Sequence, residues 1–322
     1  MSATVEKSIA LIGACRSSRR YLDAARDLPE LSPSALVDAH GGALARTAFA
    51  ELPHYATVAE MLRAGVPDVA IVCCPPGDRM AVCGPLLRAG VDLLVEAPLA
   101  TRASEAEELL DLAERTGREL TTAIPMRLAP AVERVRVLLE AGAVGTLRRV
   151  EVNLANKCSP RGSWRADPAR AGGGVWMQLG PEALDLLSVA AGPVQGIRMC
   201  YLGEQQGCDV EDEAKVETEH RGGVAGSARV SWNGERTLPL LQCSGDEGEL
   251  LVGDTQTILR RDTGDLVVGP GLDLREACVA TLTEHLRRRC SLHTPIETGA
   301  DTVQWIEAAY QSSRDQAWRR QS

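Results

Sequence analysis

The sequence predicts an α/β protein in two parts, a doubly wound parallel sheet followed by an α+β domain with an open, mostly antiparallel sheet. Three observations carry this. The first 125 residues alternate short apolar runs with amphipathic stretches of helix length, the pattern of parallel strands joined by helical crossovers. After Pro125 the chain turns β-rich, with several runs joined by glycine turns such as Arg221-Gly222-Gly223. The 322 residues leave room for two domains of roughly 100–200 residues each. We therefore expect a first domain over 1–125 and a second over 126–322.

Taken in order, 8–12 reads as a strand and 16–28 as the helix after it. A second strand, 35–38, ends in Asp38 before His40-Gly41-Gly42. The apolar run 69–74 is a strand stopped by Pro75-Pro76, with a helix over 78–89. Strand 92–97, helix 104–116 and strand 119–124 complete the first part, a Rossmann-like parallel sheet. Helix 130–141 opens the second part. Strands follow at 147–154, 196–201, 214–219, 224–232, 238–243, 249–252 and 257–260, with helices at 181–190, 274–289 and 300–314.

Bulk properties narrow the function. Acidic residues outnumber basic ones 44 to 35, for a net charge of −9. That argues against a nucleic-acid or membrane-surface binder, which needs clustered cations to release counterions. Lysine is confined to Lys7, Lys157 and Lys215. There are ten cysteines and no C-x-x-C pair; Cys73 and Cys74 are strand neighbours on opposite faces and do not bridge. With no signal peptide and no long apolar run, we expect a cytoplasmic protein with reduced thiols. Cys290-Ser291-Leu292-His293 lacks a partner pair at metal-ligand spacing, and no metal is expected.

An ordered set of landmarks runs through the chain. It comprises Gly13, Asp38, Cys74-Pro75-Pro76, Glu96-Ala97-Pro98, Met126-Arg127-Leu128-Ala129-Pro130, Gly142-x-x-Gly145, Gly172-Gly173-Gly174 leading to Asp185, and 293–296 through 308–312. In this order they resemble the glucose-fructose oxidoreductase/inositol dehydrogenase (Gfo/Idh/MocA) family. The resemblance implies a dinucleotide-binding domain, a substrate domain on an open sheet, a small-molecule substrate, and a homodimer or homotetramer assembled through the sheet face. It also makes Glu211-Asp212-Glu213, just before a sheet strand, a solvated turn.

A dinucleotide fingerprint needs glycines because the backbone must turn tightly and meet a pyrophosphate at a helix N-terminus. Here the loop is Gly13-Ala14-Cys15-Arg16-Ser17-Ser18-Arg19, and only the first glycine is present. Cys15 adds a side chain on the phosphate side, Ser18 takes the helix-packing position, and Tyr21 stands where the family has a histidine. Arg16, Arg19 and Arg20 offer charge and Ser17 a hydroxyl. Asp38, 25 residues after Gly13, suits a ribose 2′-hydroxyl and favours NAD over NADP. Cys74, Pro75 and Glu96 complete the expected cofactor set.

Hydride transfer at a carbinol carbon needs a group that handles the hydroxyl proton. The resemblance places a lysine, an aspartate and a histidine in that role. Their positions here hold Ala97, Gln178 and Glu182. Gln178 can hydrogen-bond but not titrate, whereas Glu182 can do both. Lys157, at a strand end, is a second candidate donor. Ala97, Arg127, Trp164 and Trp176 are the expected substrate contacts, Arg127 for an anion and the tryptophans for stacking. Two enzymatic readings follow. One is an NAD(P)H-dependent reductase of a carbonyl or imine with an atypical proton donor. The other is a redox-neutral cyclase, lyase or isomerase on the same fold. A pseudoenzyme that binds a partner is the third.

Overall fold

The computed structural model describes residues 6–39, 43–234, 239–286 and 299–320. The His40-Gly41-Gly42 turn, the Cys290–His293 motif and the 293–296 landmark lie outside the described residues. The first part contains β1 (Lys7–Ile12), α1 (Arg16–Arg26), β2 (Leu31–Val37), α2 (Ala43–Ala48), β3 (His54–Tyr55), α3 (Val58–Ala64), β4 (Val69–Val72), α4 (Arg79–Arg88), β5 (Asp92–Glu96), α5 (Ala103–Thr116) and β6 (Leu120–Ala123). Its sheet has the order β3-β2-β1-β4-β5-β6, and every pair is parallel. All four residues of β4, and the first four of β5, are buried, as strands covered by helices on both faces must be. Strand order reverses between β1 and β4, which opens a crevice at their carboxyl ends. The stretch α2-β3-α3 carried no sequence expectation; β3 is two residues long and too short for a periodic signal.

The second part contains α6 (Pro130–Glu140), β7 (Leu147–Ala155), α7 (Pro168–Ala171), α8 (Val175–Ala191), β8 (Val194–Gly203), β9 (Glu213–His220), β10 (Ala225–Ser231), β11 (Leu241–Gly245), β12 (Glu249–Val252), β13 (Gln256–Arg261), β14 (Gly264–Pro270), α9 (Leu274–Leu286), α10 (Gly299–Asp315) and β15 (Arg319–Arg320). The nine strands run β14-β13-β12-β11-β7-β10-β9-β8-β15, antiparallel except where β7 meets β10. The edges β14 and β15 escaped the sequence reading. β14 is largely exposed, so burial imposes no alternation on it, and β15 has two residues.

Helix α8 lies against β7, β9 and β10 and starts six residues before the expected 181. Thirteen of its 17 residues are buried, so it is apolar all round and tolerates Pro181 in its interior. At Gly180 a β-carbon would fall 2.6 Å from Ile306 Cδ1, so this glycine allows α10 to approach closely. The chain then returns to the first sheet. Cys278 and Leu282 of α9 pack with α1, and Ala300 and Val303 of α10 join the core beneath α5.

Arg127 ties the junction together: it pairs with Asp185 and is not among the residues lining the cleft, where a substrate contact was expected. Its Nε donates to Asp185 Oδ2 at 3.0 Å, and its Nη2 also donates to that carboxylate. Asp185 is fully buried on α8, so its carboxylate needs the guanidinium. Burial pushes the Asp185 carboxyl above its ordinary range while Arg127 pulls it back. Removing the partner in Arg127→Ala should cost about 3–5 kcal/mol by thermal or denaturant melting. The variant's stability should also fall as pH rises from 4 to 7, because native Asp185 would then hold a proton that the unfolded state releases. A loss under about 1 kcal/mol with a flat pH profile would refute this structural role.

Candidate active site

A cleft of about 780 Å³ opens at the carboxyl edge of the parallel sheet. Loops after β1, β4 and β5 form one wall. The other wall is built from the end of β7 with the segment after it, and from α8. The cleft gathers Cys15, Arg16, Ser17, Cys74, Glu96 and Ala97 opposite Lys157, Trp164, Gln178 and Glu182.

At the phosphate loop, Gly13 has φ +97°, and a β-carbon there would sit 3.1 Å from Cys73 O. Both facts require glycine. Cys15 caps α1: its sulfur accepts from Ser18 N–H at 3.5 Å, while Ser18 Oγ accepts from Cys15 N–H at 2.9 Å. The neighbouring Cys73 thiol, with Ser18 and the Ser17 N–H and against the penalty of burial, pulls the Cys15 thiol down to about 5. Cys73 is held well above the ordinary range by its pairing with Cys15 and by burial. Cys15, so lowered and at the positive end of α1, is expected as a thiolate at neutral pH.

The remaining groups fit a diphosphate. Arg16, Ser17 and Arg20 line the cleft at this helix end. Arg19 does not join them; it bonds Asp23 and Ala48 O on the outer side of the helix. Asp38 follows β2 beside Gly13, whose N–H donates to Val37 O at 2.8 Å, and its own N–H bonds Tyr55 O at 3.0 Å. Cys74 lines the cleft, with its thiol pushed up to about 11 by burial. Pro75 turns the chain out of β4, and Pro76, not Pro75, reaches the wall.

Glu96 ends β5 at the centre of the cleft. Burial and the negative charge of Glu182 push its carboxyl up to about 8, with Arg79 and Arg20 opposing. The buried Tyr21 hydroxyl lies beside it, raised well above its ordinary range by burial and by Glu96. Gln178 and Glu182 are one helical turn apart on α8 and both face the cleft. Gln178 Oε1 accepts from Trp232 Nε1 at 2.6 Å. An indole N–H can only donate, so the glutamine must turn its oxygen to Trp232 and leave its NH₂ as the other end. Lys157 is exposed at the rim, joined to Asn233 by an isolated bridge. Trp164 is partly buried, with the Arg165 guanidinium 4.5 Å over its ring.

Two expectations are corrected here and one group was missed. Trp176 is fully buried in the core of the second part, does not line the cleft, and so cannot stack on a substrate. Glu211-Asp212 is not a solvated turn: both side chains are buried, and Glu211 accepts from the N–H groups of Gly174 and Trp176 at the start of α8. Arg79, buried at the start of α4 and lining the cleft, was overlooked, although its place just after a strand-ending Cys-Pro-Pro marks it. Among the described residues no cluster of histidine, cysteine or acidic side chains is arranged for a metal ion, and no helix is long and apolar enough to cross a membrane.

Comparison with known proteins agrees with this architecture. Residues 7–124 match the Gfo/Idh/MocA model described as an oxidoreductase family with an NAD-binding Rossmann fold, and residues 132–251 match the GFO/IDH/MocA C-terminal domain. The rhizopine catabolism protein MocA of Rhizobium meliloti is 25% identical over 177 residues, 55% of each chain. Trans-1,2-dihydrobenzene-1,2-diol dehydrogenase of Sus scrofa is 33% identical over 147 residues, 45% of this chain and 43% of that protein. The chain thus spans about half the length of these curated relatives. Among solved structures, GenD2 from gentamicin A biosynthesis in complex with NAD superposes with a TM-score of 0.83 at 24% identity, over 100% of this chain and 98% of that one.

The thiolate is directly testable. Iodoacetamide should modify Cys15 at a rate that stays nearly flat between pH 8 and 6, whereas an ordinary thiol slows about tenfold per unit. Peptide mass spectrometry reads this site by site. NADH should slow the reaction, and a tenfold-per-unit slope at Cys15 would exclude the thiolate.

Proposed function

The chain belongs to the Gfo/Idh/MocA family of oxidoreductases, and from that membership we propose that it is an NAD(P)H-dependent reductase of a carbonyl or imine in a small polar metabolite. The observation that carries the reading is the presence of both Glu96 and Glu182 in the cleft, where burial and then the Glu182 charge push the Glu96 carboxyl up to about 8. Glu96 is thus expected to keep its proton at neutral pH. That proton replaces the missing lysine at Ala97 as the acid a reduction needs. The reduced nicotinamide supplies the hydride when bound. Arg16, Ser17 and Arg20, which line the cleft, would hold its diphosphate, and Asp38 after β2 would hold its ribose, which favours NAD.

In this mechanism Gln178 donates its NH₂ to the substrate and fixes the orientation of the reacting carbon, because Trp232 holds the amide in one sense. Glu96 releases its proton through Glu182 to the developing alkoxide or amine nitrogen, so that Glu182 ends as it began, ionised, and Glu96 is left as the carboxylate. Lys157 at the rim is the alternative donor. Support comes from the cleft geometry and from the activity for which the dihydrodiol dehydrogenase relative is named.

One observation favours a second reading, a redox-neutral cyclase, lyase or isomerase. The Cys15 thiolate occupies the phosphate loop and would repel a pyrophosphate. Calorimetric titration of cofactor-stripped protein separates the two. A reductase should bind NADH or NADPH with Kd about 1–100 μM. No heat up to millimolar cofactor would abandon hydride chemistry.

With a reducible substrate, turnover should hold below pH 8 and fall above it, as Glu96 ionises through a value of about 8. Glu182→Gln should lower kcat about 10²–10⁴-fold with cofactor affinity retained. Unchanged turnover in that variant rejects the assignment.

We further infer assembly of two or four copies. Helices α6, α8 and α10 gather on one face of the nine-stranded sheet, leaving the opposite face, with Glu151, Lys215 and Arg229, for a second copy. Light scattering should give twice or four times 34.4 kDa, and a 34.4 kDa species would reject it.

A further inference from the structure

We propose that Cys15 and Cys73 form a modification site, a thiol pair that a hydroperoxide oxidises to a disulfide across the phosphate loop. The site does not depend on whether the cleft carries out a reduction. The fold brings the two residues together from neighbouring strands. β1 and β4 run parallel with Ile12 opposite Val72, and the Cys73 N–H donates to Ile12 O at 2.8 Å. Gly13 then folds the loop back over Cys73: its φ is +97°, and a β-carbon there would lie 3.1 Å from Cys73 O. Two residues further on, Cys15 lines the same cleft as Cys73, and both are partly exposed free thiols. The side chains are near enough that each is the largest influence on the other's acidity.

The two thiols have different roles. Cys15 caps α1, where its sulfur accepts from Ser18 N–H at 3.5 Å and the helix end favours negative charge. It is the attacking sulfur, since the thiolate is the nucleophile. Cys73 keeps its proton, held up by Cys15 and by burial, and is the resolving thiol. The site is selective because burial pushes the Cys83, Cys243 and Cys278 thiols up, and Cys74 with them.

The chemistry takes two steps. The Cys15 thiolate attacks one oxygen of the hydroperoxide, and the O–O bond breaks. The other oxygen takes up a solvent proton and leaves as an alcohol or water, while Cys15 becomes a sulfenic acid. The Cys73 sulfur then attacks the Cys15 sulfur, and the S–O bond breaks. The departing hydroxide takes the Cys73 proton and leaves as water as the S–S bond forms. The two sulfurs lose two electrons and the peroxide gains them. A thiol reductant reverses the cross-link by exchange. Oxidation thus replaces a negative sulfur at the phosphate loop with a neutral bridge.

The test is made on the full chain, reduced, freed of reductant and treated with stoichiometric hydrogen peroxide. Remaining thiols are alkylated, and peptides cut without reduction are read by mass spectrometry. The expected first product links Cys15 to Cys73, and dithiothreitol removes it. In Cys73→Ser the reaction should stop at Cys15, where dimedone traps the sulfenic acid. In Cys15→Ser peroxide consumption should slow by about tenfold or more. The wild-type peptide map keeps the test decisive if either variant fails to fold. A first link between any other cysteines overturns the proposal. So does a Cys15 that stays reduced in excess peroxide, or one that passes to sulfinic acid while Cys73 remains open to alkylation. Equal peroxide consumption by the wild type and a folded Cys15→Ser variant has the same consequence.

Discussion

The cleft depends on the Glu211 carboxylate at the start of α8. It accepts from Gly174 N–H at 3.0 Å, Trp176 N–H at 2.9 Å and the Tyr310 hydroxyl at 2.7 Å. A helix begins with backbone N–H groups that have no partner within the helix, and a negative charge there is favourable. Burial raises the Glu211 carboxyl above its ordinary range, and the three donors pull it back part of the way. The contact leaves no room for side chains. A β-carbon on Gly174 would lie 1.9 Å from Glu211 O, and one on Gly173 would lie 2.2 Å from Tyr310 Oη. The triple glycine therefore makes space for a cap. That cap fixes where α8 starts, and its start fixes Gln178 and Glu182 on the cleft side one and two turns along.

Around this frame the cleft arranges charge in a graded way. The phosphate-loop end holds Cys15, its thiol lowered to about 5, with Arg16 and Arg20. Glu96 is raised by burial and by the Glu182 charge. Arg79 and Arg165 also line the cleft, each with a buried nitrogen lacking a partner. Each zone modifies the next: the Cys15 charge helps keep Glu96 protonated, and Arg79 limits how far that goes. Changes in one zone should therefore shift proton affinities in another without moving the backbone.

Much of this was legible in the sequence because the signals were strong. Fully buried strands such as β4 and β5 appear as unbroken apolar runs, and the strand-end landmarks fall on the loops that build the cleft. What escaped was short or depended on distant partners. The edge strands β14 and β15 bury too little to alternate. The roles of Arg127 and Trp176 were misjudged because burial is decided by α8 and its neighbours, and a sequence gives an arginine or tryptophan the same letter in a cleft or a core. Glu211 was read as solvated because the resemblance places its stretch just before a sheet strand. Its real environment is set by Tyr310, 99 residues away.

The loss of the lysine and the acidity of the cleft are best understood as one change. An ammonium at position 97 would stand next to Glu96 in the chain and favour its charged form. Alanine removes that charge and leaves the glutamate with burial and a second carboxyl, both of which favour the protonated form. On the proposed mechanism this suits Glu96 to carry a proton where the family has a counterion. A glutamate at 182, where the resemblance has a histidine, works in the same direction, because its charge raises Glu96 further. The two replacements act on one group: alanine withdraws a charge that would lower Glu96, and Glu182 adds one that raises it.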